Sequence, residues 1–248
     1  MTEQPASTAR MRAVTISRQY GSGGGEIARR LAQRLQWRLF DHEAVVRVAE
    51  EMGISQEEAE ARDENAPDFW TRVLQSLQLM QPPVGVSIPD SELNSNIRTY
   101  LDALQRVVNT AYQEGHVVIV GRESQILLAD RRDVLHVRVV ASEELRIRYV
   151  MQREGLSHDD AQKRLSEKDG SRNRLLKTEY QESPDNPLLY DMVVNTNVLS
   201  LDRAVDLIML GLEAKADQLA VDAQQLGPGA GMPRYPGQEQ DFPIPSNK

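Results

Sequence analysis

The sequence contains no cysteine, which excludes disulfides and thiolate metal sites. Its four histidines, His42, His116, His136 and His158, are scattered without metal-ligand spacing, so each is expected to be structural or solvent-facing. No apolar run approaches the length needed to span a membrane. Residues 1–10 are polar and lack the apolar core of a secretory signal, so a soluble cytoplasmic protein is the expectation. There is no basic excess. The formal charge of -8 argues against binding to a nucleic-acid polymer, which needs a basic face, but leaves room for local arginines to serve one small anion. No Ser-His-Asp or Cys-His set suggests nucleophilic catalysis. What is present is an apolar fraction of 40% over 248 residues, enough for a core in one α/β domain with an insertion or in two small domains.

The stretch Val14-Thr15-Ile16-Ser17-Arg18-Gln19-Tyr20-Gly21-Ser22-Gly23-Gly24-Gly25-Glu26 reads as a strand, a glycine-rich turn and the start of a helix. Such a turn lets successive backbone N–H groups converge on phosphate oxygens because no Cβ blocks the approach. The helix that follows adds its positive N-terminal end. A phosphate-binding loop ordinarily also carries a lysine and a hydroxyl residue. With Gly21-Ser22-Gly23 laid on the Gly-x-Gly before that lysine, Gly24 stands at the lysine position and Gly25 at the hydroxyl position. Arg18 takes the place of the first glycine. The plain alternative is a tight strand–helix turn with no ligand.

Further along, short strands are expected at Arg12 to Ile16, Trp37 to Phe40, Val117 to Val120, Val134 to Val140 and Met192 to Asn195. Helices are expected at Glu26 to Leu35, His42 to Met52, from Ser142 to about Glu154, from Ser157 to about Gln181, and from Ser200 past Leu212. Residues 63–114 carry no strand signal and read as a helical insertion. From Gly227 onward Gly, Pro, Gln and Asp dominate, which predicts a disordered tail. Strands alternating with helices predict an α/β doubly wound parallel sheet, whose ligands lie at the carboxyl ends of the strands.

Asp41 and Arg122 each follow a predicted strand, as the glycine loop does. Arg18 and Arg122 are therefore the arginines placed near a ligand, whereas most of the others read as ordinary exposed helix charges. Asp41 has two open readings: orientation of a substrate or of Mg²⁺-bound water, and an N-cap on the His42 helix.

Thr15 to Gly24, Phe40-Asp41, Val120-Gly121-Arg122-Glu123, His136 to Glu144 with Arg146, Lys168-Asp169 with Arg172, and Tyr190 to Thr196 together resemble the cytidylate kinase-like family of P-loop proteins over roughly residues 11–212. That family's variant loop also lacks the lysine. The resemblance implies a P-loop NTPase fold: a five-stranded parallel sheet flanked by helices, with a helical insertion (63–114), a helical lid (142–181), a helix extension (213–226) and flexible termini. It implies ATP-dependent phosphoryl transfer to a nucleoside monophosphate, with ATP and Mg²⁺ as the cofactors and no side chain ligating the metal directly. Arg18, Asp41, Arg122, Arg146 and Arg172 are the expected catalytic set. Arg18, Gly21, Ser22, Gly23, Gly24, Gly25 and Glu26 are expected to hold the nucleotide, and Asp41, Arg122 and Asp169 the acceptor. The missing lysine keeps open a non-catalytic nucleotide-binding protein, and a kinase for a different small acceptor is a further alternative.

Overall fold

A computed structural model describes residues 8–41 and 105–227. The expected helix at His42 to Met52, most of the helical insertion and the tail from 228 onward lie outside the described residues.

Five strands form one parallel sheet: β1 Ala13–Arg18, β2 Arg38–Asp41, β3 Val117–Val120, β4 Val134–Val140 and β5 Met192–Asn195. Their order across the sheet is β2-β3-β1-β4-β5. The registers Ile16↔Val120, Arg18↔Val139 and Asp41↔Val120 bring the carboxyl ends of β1, β2 and β3 to one edge. This is the five-stranded P-loop arrangement that the sequence predicts.

Alternation along the strands explains the layers. On one face, Val14, Ile16, Leu135, Val137, Val139 and Val194 pack with helix α1 (Gly24–Leu35) and with a C-terminal helix, Leu201–Gln218, that contributes Ala204, Val205, Ile208 and Leu212. Helix α1 meets that core through Ile27, Ala28, Leu31 and Leu35, a stripe at helical spacing. On the other face, Ala13, Phe40, Val117, Ile119 and Val134 pack under α2 (residues 105–114) and the one-turn helix α3 (Ser124–Leu127), with Leu128. Helix α2 is the only described part of the predicted insertion.

A third cluster joins α4 (Glu143–Glu154) to α5 (His158–Tyr180) through Ile147, Val150, Ala161 and Leu165, with Tyr20 packed against it. The contact from Tyr20 ties this helix pair to the glycine loop. Ser157 caps α5, its hydroxyl accepting from the Asp160 N–H, and Ser200 caps the C-terminal helix, α6, in the same way from Arg203. Ser142, at the N-cap of α4, makes no side-chain cap bond. Helix α5 runs unbroken through Gly170, and α6 ends at Gln218, before a short 3₁₀ turn at Ala223–Gln225.

Among the described residues, no helix is long and apolar enough to cross a membrane. His136 is structural, as expected: it is buried in the second face, with its Nδ1 2.8 Å from the Thr15 hydroxyl and its Nε2 3.2 Å from the Leu128 carbonyl. A neutral ring that donates from Nε2 and accepts at Nδ1 satisfies both contacts. Burial pushes its pKa down from 6.5 to about 4.

Candidate active site

The turn between β1 and α1 has the shape of an anion cradle. Gly21 and Gly23 adopt φ +78° and +81°, a left-handed backbone that favours glycine. Gly23 is the N-cap of α1, and no side chain caps that end. The first N–H groups of the helix therefore keep the orphan donors that a phosphate can satisfy. Thr196, just after β5, braces the turn by donating to the Ser22 carbonyl at 3.0 Å.

Arg18 explains the missing lysine sterically. A Cβ on Gly24 would come within 2.6 Å of the Arg18 Cβ, so the Arg18 stem fills the space that a side chain at 24 would need. Arg18 then passes Gly121, where an added Cβ would overlap its Nη1, and reaches Asp41 at 4.0 Å. The structure thus brings together Arg18, Gly24, Gly121 and Asp41, residues from three strand ends and one helix start. The pair is loosely made: Asp41 Oδ1 is buried and accepts no hydrogen bond among the described residues.

On the opposite side, α4 and α5 press against the loop. Asp169 Oδ1 accepts the Tyr20 N–H at 2.8 Å, and its Oδ2 accepts from Arg146 Nη1 at 2.6 Å. Arg146 Nη1 also donates to the Tyr20 carbonyl at 3.1 Å. Arg172 lies 3.5 Å from Asp169 Oδ1, donates to the Arg18 carbonyl at 3.3 Å, and stacks its guanidinium over the Tyr20 ring. So Arg146, Asp169 and Arg172 meet one another and the loop.

Arg122 sits in an unusual turn. Gly121, Arg122 and Glu123 adopt φ +69°, +64° and +50°, a left-handed run directly after β3. Such a backbone costs energy for the two non-glycine residues and persists only where the surroundings fix it. Glu123 is a site residue that sequence reasoning missed. Its burial pushes the carboxyl above the ordinary range, against the opposing pull of Arg122, Arg172 and Arg18. The sequence signal for it was its place directly after Gly121-Arg122.

Some predicted residues stand apart from this cluster. The Glu26 carboxylate is held by Arg29 at 2.7 Å and Arg30 at 2.8 Å, and Arg30 continues to Asp202 on α6. The hydrogen bond from Arg29 leads in lowering its pKa to about 2. Gly25 faces open space, with no neighbour that an added Cβ would meet. Ser22 Oγ is buried, donating to the Gln19 carbonyl at 2.8 Å and lying 3.2 Å from that of Val139. Ser22 and Gly25 therefore leave the loop with no hydroxyl turned toward a ligand.

The cradle fits the phosphates of a nucleotide: it has uncapped amides and arginines from four elements. For Mg²⁺, the described residues hold no cluster of three potential ligands. The orphaned Asp41 oxygen is the acceptor that fits a hydrated ion held mainly by phosphate oxygens.

A cytidylate kinase of Methanopyrus kandleri is 25% identical over 209 residues, covering 81% of this chain and 92% of that protein. A uronate isomerase of Corynebacterium glutamicum is 29% identical over 114 residues, which span 46% of this chain but only 20% of that protein. A solved protein from Eubacterium ventriosum superposes with a TM-score of 0.57 at 18% identity, covering 82% of this chain and 99% of that one. The model of the cytidylate kinase-like family matches residues 13–198, from the start of β1 to just past β5, and the chain belongs to that family.

Proposed function

We propose that the protein transfers the γ-phosphoryl group of ATP to a nucleoside monophosphate. The observation that carries this reading is the path of Arg18, which fills the space over Gly24 and ends beside Asp41 at the acceptor-side strand ends. A cation is thereby supplied to the cradle without the loop lysine. Family membership and the 25% identical cytidylate kinase support a nucleotide substrate.

Chemistry of this kind asks little covalent help of the protein; it needs positioning and charge neutralisation. The acceptor's phosphate oxygen, ionised near neutral pH, attacks the γ-phosphorus. The bond to the β–γ bridging oxygen breaks, and ADP leaves with that electron pair. No general base is required. Gly21, Gly23 and the α1 amides hold the donor phosphates, Arg18 and Arg122 neutralise charge between donor and acceptor, and Arg146 and Arg172 close from the helix pair to exclude water. Mg²⁺, when bound, supplies further charge neutralisation, with Asp41 placed to order its water shell.

The test is ADP release measured with a panel of nucleoside monophosphates. Turnover that depends on one of them is expected. Absence of acceptor-dependent turnover with every member sinks the reading. A second reading, a kinase for a hydroxyl acceptor, draws on the unpartnered Asp41 oxygen, which would take a hydroxyl donor. Saturation by a non-nucleotide alcohol, lost in Asp41→Asn, would favour it.

A further inference from the structure

Arg138 stands out on β4. Apart from His136 and Arg138 itself the strand is apolar, as a parallel strand covered on both faces should be. Arg138 sits beside Ser17 in register, only 7% exposed, on the face that also carries Thr15 and His136. Taking a guanidinium out of water is costly, and a methionine would fill the same space without that cost. The contacts of Arg138 show what a methionine would lose. Nη1 donates to the Ser17 hydroxyl at 3.0 Å. Nη2 lies 3.5 Å from the Asp185 carboxylate, which is 76% exposed. The guanidinium also lies over the Tyr190 ring.

These contacts form a chain whose direction is fixed at both ends. Arginine can only donate, and a carbonyl can only accept. The Tyr190 hydroxyl uses its proton on the Pro184 carbonyl at 3.0 Å, so across their 3.3 Å separation Ser17 is the donor and Tyr190 the acceptor. The order is therefore Arg138 to Ser17 to Tyr190 to Pro184, each group polarising the next. Pro184, Asp185 and Tyr190 belong to one segment, residues 181–190, which returns from the end of α5 to β5. Other hydrogen bonds in that segment are local, such as the Asn186 N–H to the Ser183 carbonyl and the Asn186 side chain to Glu182. Among the described residues, two polar ties join residues 182–189 to the sheet: Asp185 to Arg138, and Pro184 through Tyr190 to Ser17. Arg138 takes part in both.

We propose that Arg138 is a positioning residue: by pinning the return segment it sets where α5, and with it Arg172, presses on the glycine loop. Arg172 donates to the Arg18 carbonyl at 3.3 Å, on the stretch of α5 that leads into the return segment at Gln181. The N-terminal half of α5 rests on α4 through Ala161 and Leu165. Of its last ten residues only Leu176 is buried, which leaves the return segment as the other anchor. A loosened segment would let the Arg172 end of the helix move away from the loop.

This inference rests on the reading of the glycine loop as a nucleotide site, and the measurements separate the two. In the full chain, Arg138→Met keeps the volume and breaks both ties. By calorimetry, ATP binding should weaken about fivefold, the low end for coupled sites, while the denaturant midpoint holds or rises. In a chain that carries Arg172→Ala, the same substitution should change ATP affinity by less than about twofold, since its effect passes through Arg172. Wild-type ATP affinity in a folded Arg138→Met chain, or an equal loss in the chain without Arg172, overturns the positioning role and leaves the nucleotide reading standing. No ATP binding by the wild type overturns both. Should Arg138→Met fail to fold, Tyr190→Phe decides, because it removes the hydroxyl that links Ser17 to Pro184. Weaker ATP binding by that variant supports the proposal, and wild-type affinity overturns it.

Discussion

On the β2 side of the glycine loop, Arg18 and Asp41 stand 4.0 Å apart, and the Asp41 oxygen nearest Arg18 accepts no hydrogen bond among the described residues. On the α5 side, Arg146 and Asp169 meet at 2.6 Å, and the Asp169 carboxylate also takes the Tyr20 N–H at 2.8 Å. Exposure does not separate them: the side chains are 18% and 14% exposed in the first pair and 11% and 23% in the second. The difference lies in hydrogen bonding. The Asp41 oxygen, buried with no hydrogen-bond donor among the described residues, leaves its desolvation uncompensated, so the β2 flank is poised for a ligand. The α5 flank is already satisfied and holds the loop in shape. One flank therefore sets how tightly the phosphates are bound, and the other how firmly the loop is held.

The largest effect is expected on the satisfied flank. Arg146→Ala strips the half-buried Asp169 carboxylate of its closest cation, a loss of about 3 kcal/mol in unfolding free energy, the low end for breaking a buried pair. Denaturant titration measures it. A loss below about 1 kcal/mol, the scale of an exposed pair, would mean that Arg172 alone carries the carboxylate and that the two flanks are equivalent.

Next comes the sheet beneath both flanks. His136 titrates near 6.5 when unfolded and near 4 when folded, because burial penalises its charged form. The unfolded chain therefore binds the proton first as pH falls. The stabilising contribution of His136 is complete above pH 6.5 and drains away toward pH 4, by about 3 kcal/mol in total. His136→Asn should flatten that part of the stability profile while leaving the ATP affinity at neutral pH unchanged. A profile as steep as that of the wild type would place the acid sensitivity in the flanks instead.

The fold was legible because its signals are local. Val117 to Val120 is an unbroken apolar run and Val134 to Val140 a nearly unbroken one, and both are strands at those residues. The glycines between Ile16 and Ile27 announced the turn. Two signals pointed to site residues: the strand-end rule singled out Arg18, Asp41 and Arg122, and the family resemblance added Arg146, Asp169 and Arg172, which meet at the loop. The partner choices were not legible, because they depend on which side chains meet across the sequence. Nothing in Asp169 reveals that it meets Tyr20, 149 positions away, whereas the pairing of Glu26 with Arg29 and Arg30 follows from their helical spacing. Glu123 escaped because it sits in a left-handed run that the single glycine before it barely hints at.

The open flank is tested by Arg18. Arg18→Ala should weaken ATP binding by about 1.5–3 kcal/mol, the range for a charge-assisted hydrogen bond, as read by calorimetry. Unchanged affinity would refute the substitution of Arg18 for the missing lysine. Restoring the lysine sharpens the point. Gly24→Lys alone forces a Cβ into the Arg18 stem at 2.6 Å and should cost about 1–3 kcal/mol of stability through overpacking. Combining it with Arg18→Gly removes the obstruction, so the double variant should be more stable than Gly24→Lys and bind ATP more tightly than Arg18→Ala. Additive losses would show that the two positions do not share one space.

The smallest effect is expected at Arg153, two turns after Arg146 on the same helix and on a similar face. From spacing alone the two arginines look alike, yet Arg146 is buried against the loop while Arg153 is exposed and donates to the Tyr149 hydroxyl at 3.1 Å. Helix α4 meets the loop on the face that carries Arg146, Val150 and Glu154: an added Cβ on Gly21 would approach the Arg146 carbonyl to 2.9 Å, and the Tyr20 hydroxyl donates to Glu154. Arg153 lies off that face, with its side chain in solvent. Arg153→Ala should therefore change stability by no more than about 0.5 kcal/mol and leave ATP affinity untouched. A loss of affinity comparable to that of Arg18→Ala would mean that the helix pair closes over the loop along its whole length, and that the α5 flank, not the β2 flank, carries the phosphates.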